Sequence, residues 1–473
     1  MKFNHLLQSQ EGKTLEFKRD LSSPENIMKT LVAFANTAGG ILLIGVENDH
    51  TVIGIPGNPL DEEERLSNMI ADSIAPRLIP NIELVPSKNL TLLAVEVFPS
   101  QLRPHYLKQK GEQQGVFVRL GSTNRQADLP LIEELKRTVT GKGFDELPML
   151  EADAADIDFQ AVTEAFRSVR SLAENDMVKL RLLTSVQGRL VPTVGGMLLF
   201  GKRRDHFFPD AWIQCGRFIG TEKVDIFDHI DINVSLPVAV DEIMTFLKKH
   251  AMRSADFSEI RRRDVWSIPL TILREAIINA IVHADYSQRG APIRIVFLDD
   301  RIEIENPGIL LPGLTIEDMK QGMSKIRNHV IARLFRELDL IEQWGTGVRR
   351  MFQEAEQQGL PEPEIVEIGM RIRTIIYLAE TTRVGPVVEQ SGHTRAHDEA
   401  HDEAHDLSKT EKLILQACQD GPLSVSQLLN VLGYKSRTGH FKKALSRLLE
   451  LELLVRTVPD APRSKKQKYR INA

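Results

Sequence analysis

The segment Leu273–Tyr286 constrains this chain most, because it places a carboxylate and a carboxamide in an otherwise apolar stretch. Glu275 and Asn279 are four residues apart, a spacing that puts both side chains on one face of a helix. In isolation, such a pair is a solvated glutamate beside an asparagine with no chemical role. Aliphatic neighbours indicate a buried helix instead, and a buried carboxylate without a partner is unfavourable. We therefore expect the pair to line a pocket, provided that other segments supply its walls.

Two downstream segments supply further parts of a nucleotide site. The strand pair 293–298 and 301–305 ends at 306–308, Asn-Pro-Gly, which is a turn signal. Farther along, Gly345 and Gly347 precede a segment with helical apolar periodicity. Glycines there let backbone amides approach a phosphate, and the following helix N-terminus favours the negative charge. Together with the Glu-x-x-x-Asn helix, these segments predict a nucleotide-binding pocket.

The order of the three segments resembles the GHKL-type (HATPase) superfamily of gyrase, chaperones of the Hsp ninety type, histidine kinases and MutL. The resemblance implies ATP and Mg²⁺ as cofactors, with Glu275 as the general base and Asn279 as the metal ligand. Asn306 and Gly308 stand where that family usually has an Asp-x-Gly that recognises adenine, which is a departure from its pattern. An asparagine can both donate and accept a hydrogen bond, so contact with adenine survives in principle. Whether the bound ATP is hydrolysed stays open. The resemblance also implies phosphate contacts for glycines of the third motif and polar groups of a lid segment, namely Gly345, Gly347, Arg327 and Asn328.

Length and composition favour several soluble domains. A chain of 473 residues is too long for one hydrophobic core, and 42% hydrophobic with 26% charged residues is an ordinary globular composition. Cys215 and Cys418 are too few for a disulfide framework. The N-terminus lacks the apolar core of a signal peptide, and no run of about eighteen apolar residues indicates a membrane span. We therefore expect a cytoplasmic protein without membrane contact.

The N-terminal region contains five sequence blocks in order: LEFKR, AFANTAGG, LLIGVEND, PHY and FVRLGS. These blocks resemble the AlbA-type domain of the Schlafen family between about Glu11 and Asp128. Some family members are RNA nucleases that hold a divalent metal with three acidic residues. By that resemblance Glu11 and Glu16 are the first two acids, and Glu47 or Asp49 is the third. The alternative is that these carboxylates are surface residues or form salt bridges with nearby lysines and arginines.

Basic residues accompany these acids. They are consistent with a nucleic-acid-binding face, although an ordinary solvated surface has the same composition. The residues concerned are Lys18, Arg19, Arg103, His105, Lys108, Lys110, Arg119 and Arg125.

The last ninety or so residues change character twice. The stretch Thr381–Asp406 ends in the repeat AHDEAHDEAHD, in which His397, His401 and His405 recur every four residues. This spacing gives either a metal-binding stripe or, as we favour, a solvated and partly helical linker. From Leu432 onward, the sequence contains eleven Lys and Arg residues and only three acidic residues, so this segment is basic.

The C-terminal pattern of three helices and a basic hairpin predicts a winged helix. Thr438–Leu453 is its third helix, and this helix is expected to enter the DNA major groove. The alternative is a winged helix that serves dimerisation. The predicted DNA-contacting residues are Arg437, Lys442, Lys443, Arg447, Lys465 and Lys466.

The sequence as a whole predicts an α+β multidomain protein. It would contain a Schlafen AlbA-type α+β domain, a GHKL-type α/β sandwich ATPase domain and a C-terminal winged helix. The central blocks TVGGMLLFGK and FPDAWIQCGRF, taken with the Glu-x-x-x-Asn helix, resemble multidomain bacterial proteins described as predicted transcriptional regulators or RecG-like proteins. The helicase part of that description has no support, because the chain has no Gly-x-x-x-x-Gly-Lys-Ser/Thr loop. The expected domains are 1–135, the central connecting region 150–265, the ATP-binding domain 266–380, the linker 381–407 and the winged helix 408–473.

The predicted function is that of an ATP-gated, nucleic-acid-binding regulator that acts as a homo-oligomer. DNA would bind to the winged helix, and RNA is an alternative partner for the N-terminal domain. The main rival is a Schlafen-like RNA nuclease, for example an effector of phage defence, whose ATPase domain serves as the sensor. A third alternative is a binding module that has lost hydrolysis.

Overall fold

The structure is a computed structural model in which the chain forms two compact units, Met1–Val387 and Val388–Ala473. No helix in its described ranges is long and apolar enough to cross a lipid bilayer. The ranges are 5–87, 89–173, 175–256, 263–266, 268–341, 347–379, 414–418, 421–431, 445, 447–449, 451, 453–457 and 468–471.

The N-terminal part of the first unit is an α+β fold. Its helix α1 begins with a proline at the first turn, where the missing N–H costs nothing, and Gly39 follows the helix with a φ of 79°. In chain order the elements are β1 (Leu15–Lys18), α1 (Pro24–Asn36), β2 (Gly40–Ile44), α2 (Pro59–Ser73), β3 (Ile74–Ala75), β4 (Asn81–Ser87), β5 (Leu90–Val97), β6 (Tyr106–Leu107), α3 (Gly111–Gly115), β7 (Phe117–Leu120), β8 (Thr123–Gln126) and α4 (Leu129–Val139).

The main sheet of this part has the strand order β1-β2-β5-β4. Strand β1 is parallel to β2, whereas β2 with β5 and β4 with β5 are antiparallel pairs. Alternate residues point to opposite faces of a strand, so the two faces of the sheet contribute to two separate apolar clusters. Helix α1 covers one face with Ile27, Leu31 and Phe34, and Phe17 lies in the cluster on the other.

The rest of the first unit is built around a larger sheet. Its chain begins with short helices and a hairpin and continues into longer strands. The elements are α5 (Phe159–Ala165), α6 (Asp176–Lys179), β9 (Leu183–Val186), β10 (Arg189–Pro192), α7 (Val194–Phe200), α8 (Arg204–Phe207), β11 (Ile213–Ile219), β12 (Asp225–Ile232), α9 (Leu236–Ala251), β13 (Met252–Asp256), β14 (Arg263–Trp266), α10 (Leu270–His283), β15 (Ile293–Phe297), β16 (Arg301–Pro307), α11 (Ile316–Lys320), α12 (His329–Glu337), α13 (Gly347–Gln357), β17 (Glu364–Ile368) and β18 (Arg371–Tyr377).

This six-stranded sheet has the order β12-β11-β15-β16-β18-β17. The predicted hairpin is confirmed as β15 and β16. Strand β11 runs parallel to β15 and pairs with it from Ile213 to Arg217, so the sheet contains strands from both sides of the predicted boundary at 265/266. Helices α9 and α10 contribute to one apolar core with the sheet.

The second unit contains α14 (Val425–Val431) and an antiparallel pair, β19 (Leu454–Arg456) and β20 (Tyr469–Ile471). Ile414, Cys418, Leu428 and Tyr469 belong to its small apolar core. The winged helix stays a prediction, because most of its third helix and its wing lie outside the described residues. The same holds for the histidine repeat at 397–405, for Gly345 and for Arg437, Lys442, Lys443, Lys465 and Lys466.

Candidate nucleotide-binding site

Helix α10 brings the carboxylate and the carboxamide together. Eight of its side chains are buried aliphatic or alanine residues, which anchor the helix and leave one polar stripe. Asn279 Nδ2 donates a hydrogen bond of 3.0 Å to Glu275 Oε1. The Glu275 side chain is 17% exposed, so its carboxylate can be reached from a cleft but is not freely solvated.

A cleft opens in front of this pair. Glu275, Asn279, Asn306, Arg327 and Gly347 all line it, which brings together residues of the three predicted motifs and of the lid segment. The remaining wall is mainly apolar, as expected for a site that accepts a planar base. Its apolar side chains include Leu310, Leu314, Met319, Met351, Ile365 and Ile372.

Gly347 allows α13 to approach α10 closely. A Cβ built on Gly347 would lie 1.6 Å from Glu275 Oε1, so a side chain here would displace the carboxylate. One turn later, Arg350 Nη2 lies 3.5 Å from Glu275 Oε2. The third motif therefore contacts the first motif directly. This contact adds to the phosphate-approach role that the sequence predicts for Gly347.

The second motif closes the side of the cleft near the end of β16. Asn306 is 5% exposed, and its Nδ2 donates to Pro307 O at 3.1 Å. Gly308 has a φ of 106°, in the region that favours glycine. A Cβ on Gly308 would lie 2.3 Å from Arg327 Nη1. Asn306 therefore faces the cleft, whereas Gly308 provides room for an arginine.

Arg327 and Asn328 hold the lid segment in place through contacts with protein groups, and their predicted contacts with phosphates stay predictions. Arg327 is 5% exposed and donates to Glu134 Oε1 at 2.7 Å, to His283 O at 2.6 Å and to Ile309 O. Asn328 is fully buried, and its Nδ2 donates to two carbonyls at the end of α10. Hydrogen bonds to protein groups therefore occupy each nitrogen of the Arg327 guanidinium and the amide nitrogen of Asn328.

The cleft also contains polar groups to which sequence reasoning assigned no role. Lys325 lines it and donates through Nζ to Pro312 O at 2.5 Å. His283, at the end of α10, lines it too, and burial lowers the pKa of its imidazole to about 4. The ring is therefore neutral near pH 7. The sequence did contain a clue to the place of Lys325 in the cleft. Lys325 belongs to the lid segment Ser324–His329 and adds a second cation two residues before Arg327.

The first two predicted nuclease acids are engaged with protein groups. Glu11 Oε1 accepts a hydrogen bond of 2.7 Å from the Phe17 amide. Glu16 is 7% exposed and forms ion pairs with Lys18 and with Arg119, which is fully buried. Glu16 is thus the buried partner of two cations, which is the salt-bridge alternative considered from the sequence.

The two alternatives for the third acid lie in the turn after β2. Glu47 forms an ion pair of 2.9 Å with Arg19. Asp49 accepts a hydrogen bond from the Thr51 amide at 2.9 Å, and this bond lowers the pKa of Asp49. Within the part of the chain that the structure describes, no three His, Cys, Asp or Glu side chains are grouped as a metal site.

Only some of the residues predicted to contact nucleic acid lie within the described ranges. Lys18 and Arg19 are described, and their charges are paired with Glu16 and Glu47. Arg447 lies in a helical stretch of the second unit with an exposed side chain. These placements leave the predicted nucleic-acid contacts as predictions.

The cleft residues fit the Mg²⁺ that the resemblance implies. Because Asn279 donates through Nδ2, its Oδ1 is the oxygen available as a ligand. Mg²⁺ prefers oxygen ligands and is commonly held by one or two protein side chains together with substrate phosphates. One protein oxygen beside a cleft open to a nucleotide is compatible with this arrangement.

Comparisons with known proteins agree with both resemblances. Residues 11–128 match the family model described as "Schlafen, AlbA_2", and residues 290–376 match the one described as "Putative ATP-dependent DNA helicase recG C-terminal", a HATPase-type model. Residues 411–472 match the C-terminal domain of Fic-like proteins, named for filamentation induced by cAMP. The third match was not anticipated from the sequence.

Two solved structures are similar to the chain. The DIP2311 protein of Corynebacterium diphtheriae is 17% identical with a TM-score of 0.42, over 97% of this chain and 95% of that one. The N-terminal domain of a RecG-related protein from Nitrosomonas europaea is 28% identical with a TM-score of 0.21, over 27% of this chain and 91% of that one. The family matches carry the assignment: the chain combines a Schlafen AlbA_2 domain with a RecG-like HATPase-type domain.

Proposed function

We propose that this chain binds ATP with Mg²⁺ in the cleft between α10, α13 and the lid segment, and that the bound nucleotide controls its association with nucleic acid. The observation that carries the proposal is the hydrogen-bonded pair of Glu275 and Asn279 at the wall of that cleft. The match of residues 290–376 to a HATPase-type model supports nucleotide binding. The Schlafen AlbA_2 match supports association with nucleic acid.

Each cleft residue has a role in this proposal. Bound Mg²⁺ would offset the charge of the phosphates. Asn279 holds the metal through Oδ1, and Glu275 accepts the proton of the attacking water. Arg350 Nη2 lies 3.5 Å from Glu275 Oε2 and helps to position this carboxylate at the cleft wall. Asn306 engages Nδ2 with the main chain, so its Oδ1 is left to accept from the exocyclic amine of adenine.

A structural connection supports control of nucleic-acid binding by the nucleotide. The lid residue Arg327 forms a buried ion pair with Glu134 of α4, the helix that follows the matched Schlafen region. Ile309, next to the second motif, belongs to the same apolar cluster as Val118 and Leu131 of the N-terminal part. A bound nucleotide changes the affinity for nucleic acid only if it binds two conformations of the protein with different affinity. The contacts of Arg327 and Ile309 link the cleft wall to the N-terminal part, so a change at the cleft can reach that part.

The test measures ATP binding and nucleic-acid binding in the same full-length protein. We expect wild type to bind a fluorescent ATP analogue in the presence of Mg²⁺, and Asn279→Ala to bind it more weakly. Thr245→Ala is the control, because Thr245 lies exposed on α9 and does not line the cleft. Absence of Mg²⁺-dependent ATP binding by wild type would contradict the proposal.

Nucleic-acid binding is measured by gel shift with labelled tRNA and duplex DNA, with and without ATP. We expect ATP to change the affinity for at least one of them. Degradation of the tRNA by wild type, lost in Glu16→Gln, would instead favour the metal-dependent nuclease effector. Size-exclusion chromatography with light scattering tests the predicted homo-oligomer.

A further inference from the structure

A second cleft lies beside the nucleotide cleft, between α4 and the lid segment. It is lined by residues 101 and 103, the end of α4, residues 141–144 and 311–312, and residues 325–327 and 329. Lys325, Ile326 and Arg327 line both clefts. The two clefts therefore share a wall of three consecutive residues.

The charges around this second cleft are unbalanced. Its cationic side chains are Arg103, Arg137, Lys142, Lys325 and Arg327, against the single carboxylate of Glu134. Glu134 is buried and forms its ion pair with Arg327. Among the described residues no ion pair involves any of the other four cations: Arg103 donates to Thr138 Oγ1 and Ser100 O, and Lys325 donates to Pro312 O. Within that part of the chain, these four side chains therefore form no direct ion pair, and Asp318 and Glu134 act on Lys325 and Arg137 only beyond ion-pair distance.

The fold holds these cations in position without neutralising them. The Arg137 guanidinium lies 5.3 Å from the centre of the Phe144 ring, a cation–π contact that fixes the arginine and keeps its charge. Gly143 brings the loop against the lid, since a Cβ there would lie 2.7 Å from Arg327 O. Burial and the nearby Arg103 lower the pKa of Lys325, and the carboxylate of Asp318 only partly offsets this effect.

Cations gathered in a cleft concentrate the positive potential there and attract polyanions. A single-stranded nucleic acid supplies regularly spaced phosphates, and its binding releases the counterions condensed on the strand. We propose that this second cleft binds the phosphate backbone of a nucleic-acid strand. The proposal rests on the nucleic-acid association proposed above and assigns the contact to a surface outside the ATP cleft and outside the C-terminal unit.

The shared wall gives this assignment a consequence for ATP. Lys325 lines both clefts, so a bound strand and a bound nucleotide would contact the same side chain. Both would also lie against the lid backbone that Arg327 holds in place. Because coupling between two binding sites is reciprocal, the factor by which ATP changes strand affinity must equal the factor by which the strand changes ATP affinity.

The test compares the full chain with Arg137→Ala/Lys142→Ala, two residues that line the second cleft and not the first. Binding of fluorescein-labelled oligothymidine and oligouridine is followed by anisotropy over a range of salt concentrations. Each lost phosphate contact lowers the slope of log affinity against log salt by about 0.7 for a single strand, so the double variant should lose about 1.4. The charge-preserving variant Arg137→Lys/Lys142→Arg should retain the wild-type slope.

Arg77→Ala/Lys248→Ala removes the same charge from two exposed positions that line neither cleft, and it should also retain the slope. An unchanged slope in Arg137→Ala/Lys142→Ala, with wild type binding the strand, would overturn this assignment and leave the proposed function intact. Wild type that binds no nucleic acid would overturn both. Full displacement of the strand from the cleft by equimolar inorganic triphosphate would overturn the assignment to a strand and indicate a site for free polyphosphate. Binding of the fluorescent ATP analogue by every variant confirms that the nucleotide cleft remains folded.

Discussion

Glu16 of the Schlafen region and Glu275 of the nucleotide cleft differ in how deeply they are enclosed by cations. Glu16 lies buried between Lys18 and Arg119, so its charge is satisfied by the protein. Glu275 borders an open cleft, with a neutral amide at 3.0 Å and an arginine at 3.5 Å. A carboxylate surrounded by cations stabilises a fold, whereas one that faces a cleft can act on a bound molecule. The comparison favours a structural role for Glu16 and a catalytic role for Glu275, and both roles stay predictions.

The largest expected effect tests the structural half of this comparison. Arg119→Ala should lower the free energy of unfolding by about 3–5 kcal/mol, because it leaves Glu16 as a buried charge without its main partner. Urea denaturation of the full chain measures this change. Lys18→Ala is the matched control, because it removes the other partner of Glu16. The Lys18 side chain is 27% exposed, and ion pairs that reach the solvent contribute about 1 kcal/mol or less. Equal effects in the two variants would contradict the structural role of the buried pair.

The next largest effect concerns the catalytic half. Glu275→Gln keeps the size of the side chain and the contact with Asn279, but an amide cannot accept the proton of water. If the chain hydrolyses ATP, turnover should fall by about a hundredfold or more while ATP affinity stays near the wild-type value. Steady-state phosphate release and analogue binding separate the two quantities. Unchanged turnover in Glu275→Gln would remove Glu275 from the role of general base.

A smaller loss is expected at the metal ligand. Asn279→Ala should weaken Mg²⁺-dependent ATP binding by about tenfold, in line with about 1.5 kcal/mol for one contact to a charged group. Asn279→Asp preserves the oxygen ligand and should restore part of the binding. Titration of Mg²⁺ at constant ATP analogue measures both variants. Equal Mg²⁺ dependence in wild type and Asn279→Ala would show that the metal is held elsewhere.

The last expected effect is a dependence of stability on pH. Burial lowers the pKa of His283 from 6.5 to about 4, so the unfolded chain takes up a proton at higher pH than the folded chain does. The contribution of the neutral ring to stability is therefore present above pH 6.5 and is lost as pH falls from 6.5 toward 4, at no more than about 1.4 kcal/mol per pH unit. Urea denaturation across this range should show a shallower slope for His283→Gln. The same slope in both proteins would place the acid sensitivity in other groups.

The sequence predicted the nucleotide cleft better than the environment of the nuclease acids, and the reason is geometric. Four residues along a helix determine which side chains are neighbours, so the pairing of Glu275 with Asn279 follows from their spacing alone. Glu16 sits on a strand and pairs with Arg119, more than a hundred residues away, and no local spacing predicts such a contact. The contact of Arg327 with Glu134 and the close approach of Gly308 to Arg327 could not be predicted for the same reason, since both involve distant partners.

The strand pairing of β11 with β15 limits how this molecule can be divided. A fragment that starts at residue 266 would keep the Glu-x-x-x-Asn helix and the strands β15 and β16. It would lose β11, which pairs with the whole of β15 on the side opposite β16. An unpaired edge with alternating aliphatic residues is a template for intermolecular strand addition, so such a fragment should aggregate, whereas one that begins before Ile213 has its partner strand. Gene rearrangements that exchange only the segment 290–376 would face the same restriction, and recombination that preserves folding would have to carry the upstream hairpin of β11 and β12 along with it.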